Sequence, residues 1–93
     1  MSTLQPVMEP VGIAVRVDGR RIYVELTDGR EVGFPADRFV LLRAATDEQL
    51  RGVRLRAEGT ALRWDELDED ITVRGVVAGR FQVALAEAPG ATV

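Results

Sequence analysis

Val11-Gly12-Ile13-Ala14-Val15-Arg16-Val17-Asp18-Gly19-Arg20-Arg21-Ile22-Tyr23-Val24-Glu25-Leu26-Thr27-Asp28-Gly29-Arg30-Glu31-Val32-Gly33-Phe34 is the stretch on which the fold turns. Apolar residues recur there at every second position: Val11, Ile13, Val15 and Val17, then Ile22, Val24 and Leu26, then Val32 and Phe34. Successive side chains of a strand point to opposite faces, so this period marks three strands, each buried on one side. Asp18-Gly19 and Asp28-Gly29 interrupt the alternation. Asp-Gly between alternating runs is a strong hairpin signal, because both residues tolerate positive φ. The stretch therefore reads as an antiparallel three-stranded meander, with Gly12, Ala14, Arg16 and Asp18 on the outer face of its first strand.

Downstream, Pro35 closes the third strand and suits the first turn of a helix. Phe39-Val40-Leu41-Leu42 is apolar without interruption, so its period is ambiguous; a short helix over 36–45 is the expectation. Thr46-Asp47-Glu48-Gln49 reads as a capping box, a Thr cap with Gln three residues on, opening a second short helix over 47–52. Val53, Leu55 and Ala57 alternate with Arg54, Arg56 and Glu58; Gly59-Thr60 turns the chain, and Leu62 and Trp64 point inward on the return strand. This second hairpin is expected to join the first three strands, since a lone hairpin is marginally stable. Asp70 or Thr72 can cap a helix over 73–78, which Gly79 stops. Residues 1–10 read as a flexible leader, 11–79 as one α+β domain, and 80–93 as a partly disordered tail.

The chain has 93 residues, room for a single core. It is 46% hydrophobic and 29% charged, with net charge −3. Direct DNA binding is not expected of such a balance, because phosphate recognition favours a basic excess. The chain has no Cys and no His, which removes thiolate nucleophiles, Cys zinc sites and the commonest general base and metal ligand. All its cations are Arg, so a Walker-type phosphate loop, which needs Lys, is excluded. Ser2, the sole Ser, has no imidazole to activate it. No signal peptide and no run long enough to span a bilayer is recognisable, and the expected location is the cytoplasm. No enzyme activity, cofactor or metal is expected.

Three groups of residues remain as candidates. Asp65, Glu66, Asp68, Glu69 and Asp70 put five carboxylates into six positions. They could form an acidic face for a basic partner, or supply oxygen ligands to a hard cation, although the spacing lacks the alternation and the Gly of an EF-hand loop. The plainer reading is that Asp68 or Asp70 caps the next helix while its neighbours are solvated or paired with Arg. Trp64 could anchor an interface, or belong to the core or its rim. Arg54, Arg56 and Arg63 fall on the outer faces of two paired strands as a possible basic patch, which Arg16 could extend; pairing with Glu25, Glu31 and Glu58 is the simpler expectation. Asp18-Gly19-Arg20-Arg21 reads as an exposed turn.

Leu62-Arg63-Trp64-Asp65-Glu66-Leu67-Asp68-Glu69-Asp70-Ile71-Thr72-Val73-Arg74-Gly75-Val76-Val77-Ala78-Gly79 resembles the signature of the bacterial domain-of-unknown-function family 2442. Leu26-Thr27-Asp28-Gly29-Arg30, Phe34-Pro35 and Ala45-Thr46-Asp47-Glu48-Gln49 resemble it too, so the likeness runs from about Val11 to Gly79. The resemblance implies a small mixed α+β fold with no established activity. It also implies a setting beside a second small gene, in an arrangement like a toxin–antitoxin pair. The helix-turn-helix of some longer relatives is not expected here. The functional expectation is thus an antitoxin-like interaction module, holding a small basic protein encoded nearby through Trp64, Asp65, Glu66, Asp68, Glu69 and Asp70. The alternative is a self-associating structural or nucleic-acid-accessory protein, for instance a homodimer.

Overall fold

The computed structural model describes residues 9–84. The expected leader and tail therefore lie, for residues 1–8 and 85–93, outside the described residues. The chain is α+β. Strands β1 (Gly12–Asp18), β2 (Arg21–Leu26) and β3 (Glu31–Pro35) form one antiparallel sheet in the order β1-β2-β3. A 3-10 turn (Ala36–Arg38) and helices α1 (Val40–Arg43) and α2 (Asp47–Leu50) follow. Strands β4 (Val53–Arg56), β5 (Ala61–Trp64) and β6 (Glu69–Thr72) form a second antiparallel sheet, and α3 (Val73–Val77) follows it.

The meander has the expected faces on β2, where Ile22, Val24 and Leu26 are buried. Asp18 pairs with Arg21, so the loop proper is Gly19-Arg20, and Gly19 takes the φ of +61° that a Gly-X hairpin loop requires. On β1 the expected alternation fails at one point. The register slips between Gly12 and Ala14, which leaves Ile13 as the extra residue of a bulge, exposed instead of inward. Gly12 takes the buried position.

The second hairpin does not extend the meander. It gains a third strand of its own, β6, in which the register sets Arg63 opposite Asp70 and Leu62 opposite Ile71. The two sheets meet where Gly12 crosses the β4–β5 turn, and Gly12 N donates to Gly59 O at 2.7 Å. Gly59 is buried, at φ +86°, and a Cβ there would run into the Gly12 carbonyl, so only glycine fits the crossing.

The apolar run after Pro35 resolves by burial. Phe39 and Leu42 face inward, three residues apart, while Val40 and Leu41 face solvent. The capping box at Thr46 is present as expected: Thr46 Oγ1 accepts from Gln49 N, and Gln49 Oε1 accepts from Thr46 N. Thr72, of the two candidates, caps α3 by accepting from Gly75 N at 3.0 Å. Gly79 N donates to Val76 O and Arg80 N to Gly75 O, the Schellman pattern, with Gly79 at φ +77°. One core unites all this: Ile22, Val24 and Phe34 from the first sheet, Leu62, Trp64 and Ile71 from the second, and Leu42, Leu50 and Val76 from the helices. Beyond Gly79 the chain stays packed, with the Phe81 ring 5.6 Å from Phe39 and 6.2 Å from Phe34.

Candidate functional site

The acidic run and the basic patch are one structure. Asp65 to Asp68 is the four-residue loop joining β5 to β6, closed by Asp68 N donating to Asp65 O, with Asp68 in the left-handed region at φ +52°. Asp and Asn tolerate that conformation better than most residues. The loop folds its carboxylates back over the outer face of the sheet, where Arg54, Arg63 and Asp70 lie side by side on neighbouring strands. Arg63 holds three carboxylates at once. Its Nε donates to Asp65 Oδ1 at 3.1 Å, Nη2 to Asp68 Oδ1 at 2.9 Å and Nη1 to Asp70 Oδ2 at 2.9 Å. Arg54 grips Asp65 with two bonds, of 2.7 and 3.1 Å, and Arg56 approaches Asp70 at 3.5 Å. Arg63 is the least exposed member, its side chain 18% accessible.

Electrostatics follow from this geometry. The Arg54 and Arg63 guanidiniums hold the Asp65 carboxyl at a pKa of about 2, below its ordinary 3.8. Asp68 and Asp65 in turn raise the Arg63 pKa above its ordinary value. Of the cations expected to meet Glu25, Glu31 and Glu58, Arg54, Arg56 and Arg63 are instead met by Asp65, Asp68 and Asp70, because β6 carries Asp70 alongside them, and Arg16 alone meets Glu31 as expected. Arg16 does not extend the patch: it pairs with Glu31 at 3.1 Å and lies 4.1 Å from the Tyr23 ring centroid, on the other sheet. Neither Asp68 nor Asp70 caps α3. Among the described residues no three acidic side chains converge in a way that would hold a metal ion.

Trp64 is not a surface anchor. It is 1% exposed, and its Nε1 donates to Leu50 O at 3.0 Å. Its strand alternates correctly, and its indole N–H bonds the last residue of α2, a meeting the sequence does not place. Glu66 accepts from Gln49 Nε2 at 3.0 Å, joining the acidic loop to α2, while Glu69 is half-buried at the rim.

Sequence reasoning missed three features. Arg20, read as an exposed turn residue, reaches back to cap α1. Its Nη1 donates to Ala45 O at 2.6 Å and its Nη2 to Leu42 O at 3.0 Å and Asp37 Oδ1 at 2.9 Å, with Asp47 at 3.3 Å. Gln82 Oε1 accepts from Val40 N at 2.8 Å at the other end of the same helix. Between these two fixtures α1 presents Val40 and Leu41, 56% and 47% exposed. Four consecutive apolar residues were the only signal in the sequence that a helix here must show some of them to water.

A small α+β domain with two three-stranded sheets and a self-neutralised charged face is the class that fold and site define. The family model for "Protein of unknown function (DUF2442)" matches residues 13–82, from the β1 bulge to Gln82, and the chain belongs to that family. A crystal structure of a protein of unknown function from Rhodospirillum rubrum is similar at 34% identity, over 80% of this chain and 92% of its own, with TM-score 0.76. A solution structure of an uncharacterised protein from Chromobacterium violaceum shares the fold at TM-score 0.65 and 24% identity, over 88% of this chain and 75% of its own. No curated protein matches the chain in sequence. Among the described residues no helix is long and apolar enough to cross a membrane.

Proposed function

We propose that the protein is a non-catalytic interaction module that holds a small basic protein, in the manner of an antitoxin subunit. The carrying observation is the exposure of Val40 and Leu41 on a four-residue helix secured at both ends by Arg20 and Gln82. A fixed apolar pair needs little ordering on association, which favours its use as a contact. Its surroundings argue for a basic partner. Arg20 ties α1 to Asp37 and Asp47, and α2 leads on through Gln49 to Glu66. Glu48 and Glu66 are exposed carboxylates without an ion pair among the described residues and are the groups a basic partner would meet, while Arg43 of α1 and Arg51 at the end of α2 are exposed cations on the same elements. The core supports a role on the exterior, because no polar or charged side chain among the described residues is buried. The acidic loop then contributes Glu66, while Asp65, Asp68 and Asp70 serve the sheet.

Co-expression with the protein encoded next to it tests the reading. A co-purifying complex is expected that Leu41→Glu abolishes and Glu48→Arg with Glu66→Arg weakens, while Trp64 emission stays native. No complex, or one indifferent to Leu41→Glu, sinks the docking surface, and turnover of a substrate by the pure protein sinks the class. Self-association by pairing a strand edge with its copy would fall to β3, which ends in Pro35 without an N–H to donate, or to β6, four residues long, since the edge strands β1 and β4 pack against each other.

A further inference from the structure

We infer that residues 81–83 form a releasable strap that controls whether α1 is folded. Helix α1 has four residues, too few to persist alone, since nucleation fixes several dihedrals before the hydrogen bonds accumulate. Its sequence provides no cap: Phe39 stands at the N-cap, and no side chain of its own bonds there. The N–H of Val40 donates to Gln82 Oε1, supplied from 42 positions downstream.

The strap itself belongs to no helix or strand, and its polar ties all go to residues 38–40. Gln82 N and Val83 N both donate to Arg38 O at 3.0 Å, and Arg38 Nε donates to Val83 O at 2.6 Å. The Arg38 guanidinium lies 4.4 Å from the Phe81 ring centroid, and that ring packs edge-on against Phe39. These contacts form one local set, so they are made and lost together. Their loss removes the cap from Val40 and an aromatic neighbour from Phe39 and from Phe34, and breaks no hydrogen bond of β4, β5 or β6. Openings of this kind cost less than global unfolding. Arg20 still holds the other end of α1, so release frees the helix from its N-terminal side. On the interaction reading above, a partner that needs Val40 and Leu41 in helical array selects the latched form.

Native-state amide exchange on the full chain, without any partner, tests the strap independently of that reading. In Gln82→Ala the Val40 and Arg43 amides should exchange about tenfold faster, the effect of about one lost hydrogen bond. The β5 amides of Leu62 and Trp64 should stay within about twofold of wild type, because the loss is confined to one local unit. Phe81→Ala should produce the same split, larger. Unchanged exchange at Val40 and Arg43 in Gln82→Ala overturns the inference. Equal acceleration of the α1 and β5 amides overturns it too, since the strap would then be part of the global core. Gln82 is exposed, so its variant reads out even where Phe81→Ala fails to fold.

Discussion

Arg20 shows how much one side chain can carry when a turn places it well. The Gly19-Arg20 loop aims its guanidinium at three carbonyls, of Leu42, Arg43 and Ala45, and at Asp37. Carbonyls at a helix end have no intrahelical donor, so the planar fork of Arg satisfies several of them together. Arg20→Ala should destabilise the protein by about 2 kcal/mol, the scale of hydrogen bonds from a charged group. Arg20→Lys should recover less than half of that, because an ammonium cannot span the same acceptors. Urea denaturation followed by Trp64 emission measures both. Arg21, its neighbour, makes no such bond among the described residues. The sequence could not distinguish the two, because the choice rests on which residue the hairpin register places in the loop and on where α1 then sits.

At the scale of elements, legibility followed how local the determinant was. The capping box at Thr46 needs only four consecutive residues and reads directly. Thr46→Ala should cost about 1 kcal/mol, seen as a lower urea midpoint with an unchanged slope. Helix α1 and strand β6 depend on distant residues and were harder to read. Glu69-Asp70-Ile71-Thr72 has poor strand composition, and the acidic run hides it. Its strand character comes from Arg63 and Arg56, which neutralise Asp70 across the sheet, and from the core, which takes Ile71. The five carboxylates were therefore visible as a cluster, while the role of three of them, Asp65, Asp68 and Asp70, was decided by arginines on two other strands.

Across the whole molecule, charge and pH response follow from the same network. Asp65 titrates at about 2 in the folded protein against an ordinary 3.8. A depressed carboxylate pKa contributes stability that is complete above the unfolded value and is lost as pH falls through the folded one. That contribution should be level above about pH 5 and decline between about pH 4 and 2. With no imidazole in the chain, the urea midpoint should be the same at pH 6 and pH 8. Asp65→Asn should start lower at neutral pH and fall less steeply between pH 4 and 2. A step near pH 6.5, or an Asn variant that falls as steeply as wild type, contradicts this account.

The residues alone determined the meander, its turns, the Thr46 cap, the stop at Gly79 and the absence of thiol and imidazole chemistry. Each rests on period, turn residues or composition within a few positions of chain. Tertiary structure alone decided that the second hairpin builds its own sheet, that Ile13 bulges out, that Trp64 bonds the last residue of α2, and that acidic loop and basic patch cancel. Those outcomes depend on backbones meeting at Gly12 and Gly59, and on side chains many positions apart finding each other. Local pattern has no access to such distances, because it specifies which face a residue occupies and leaves open what covers that face.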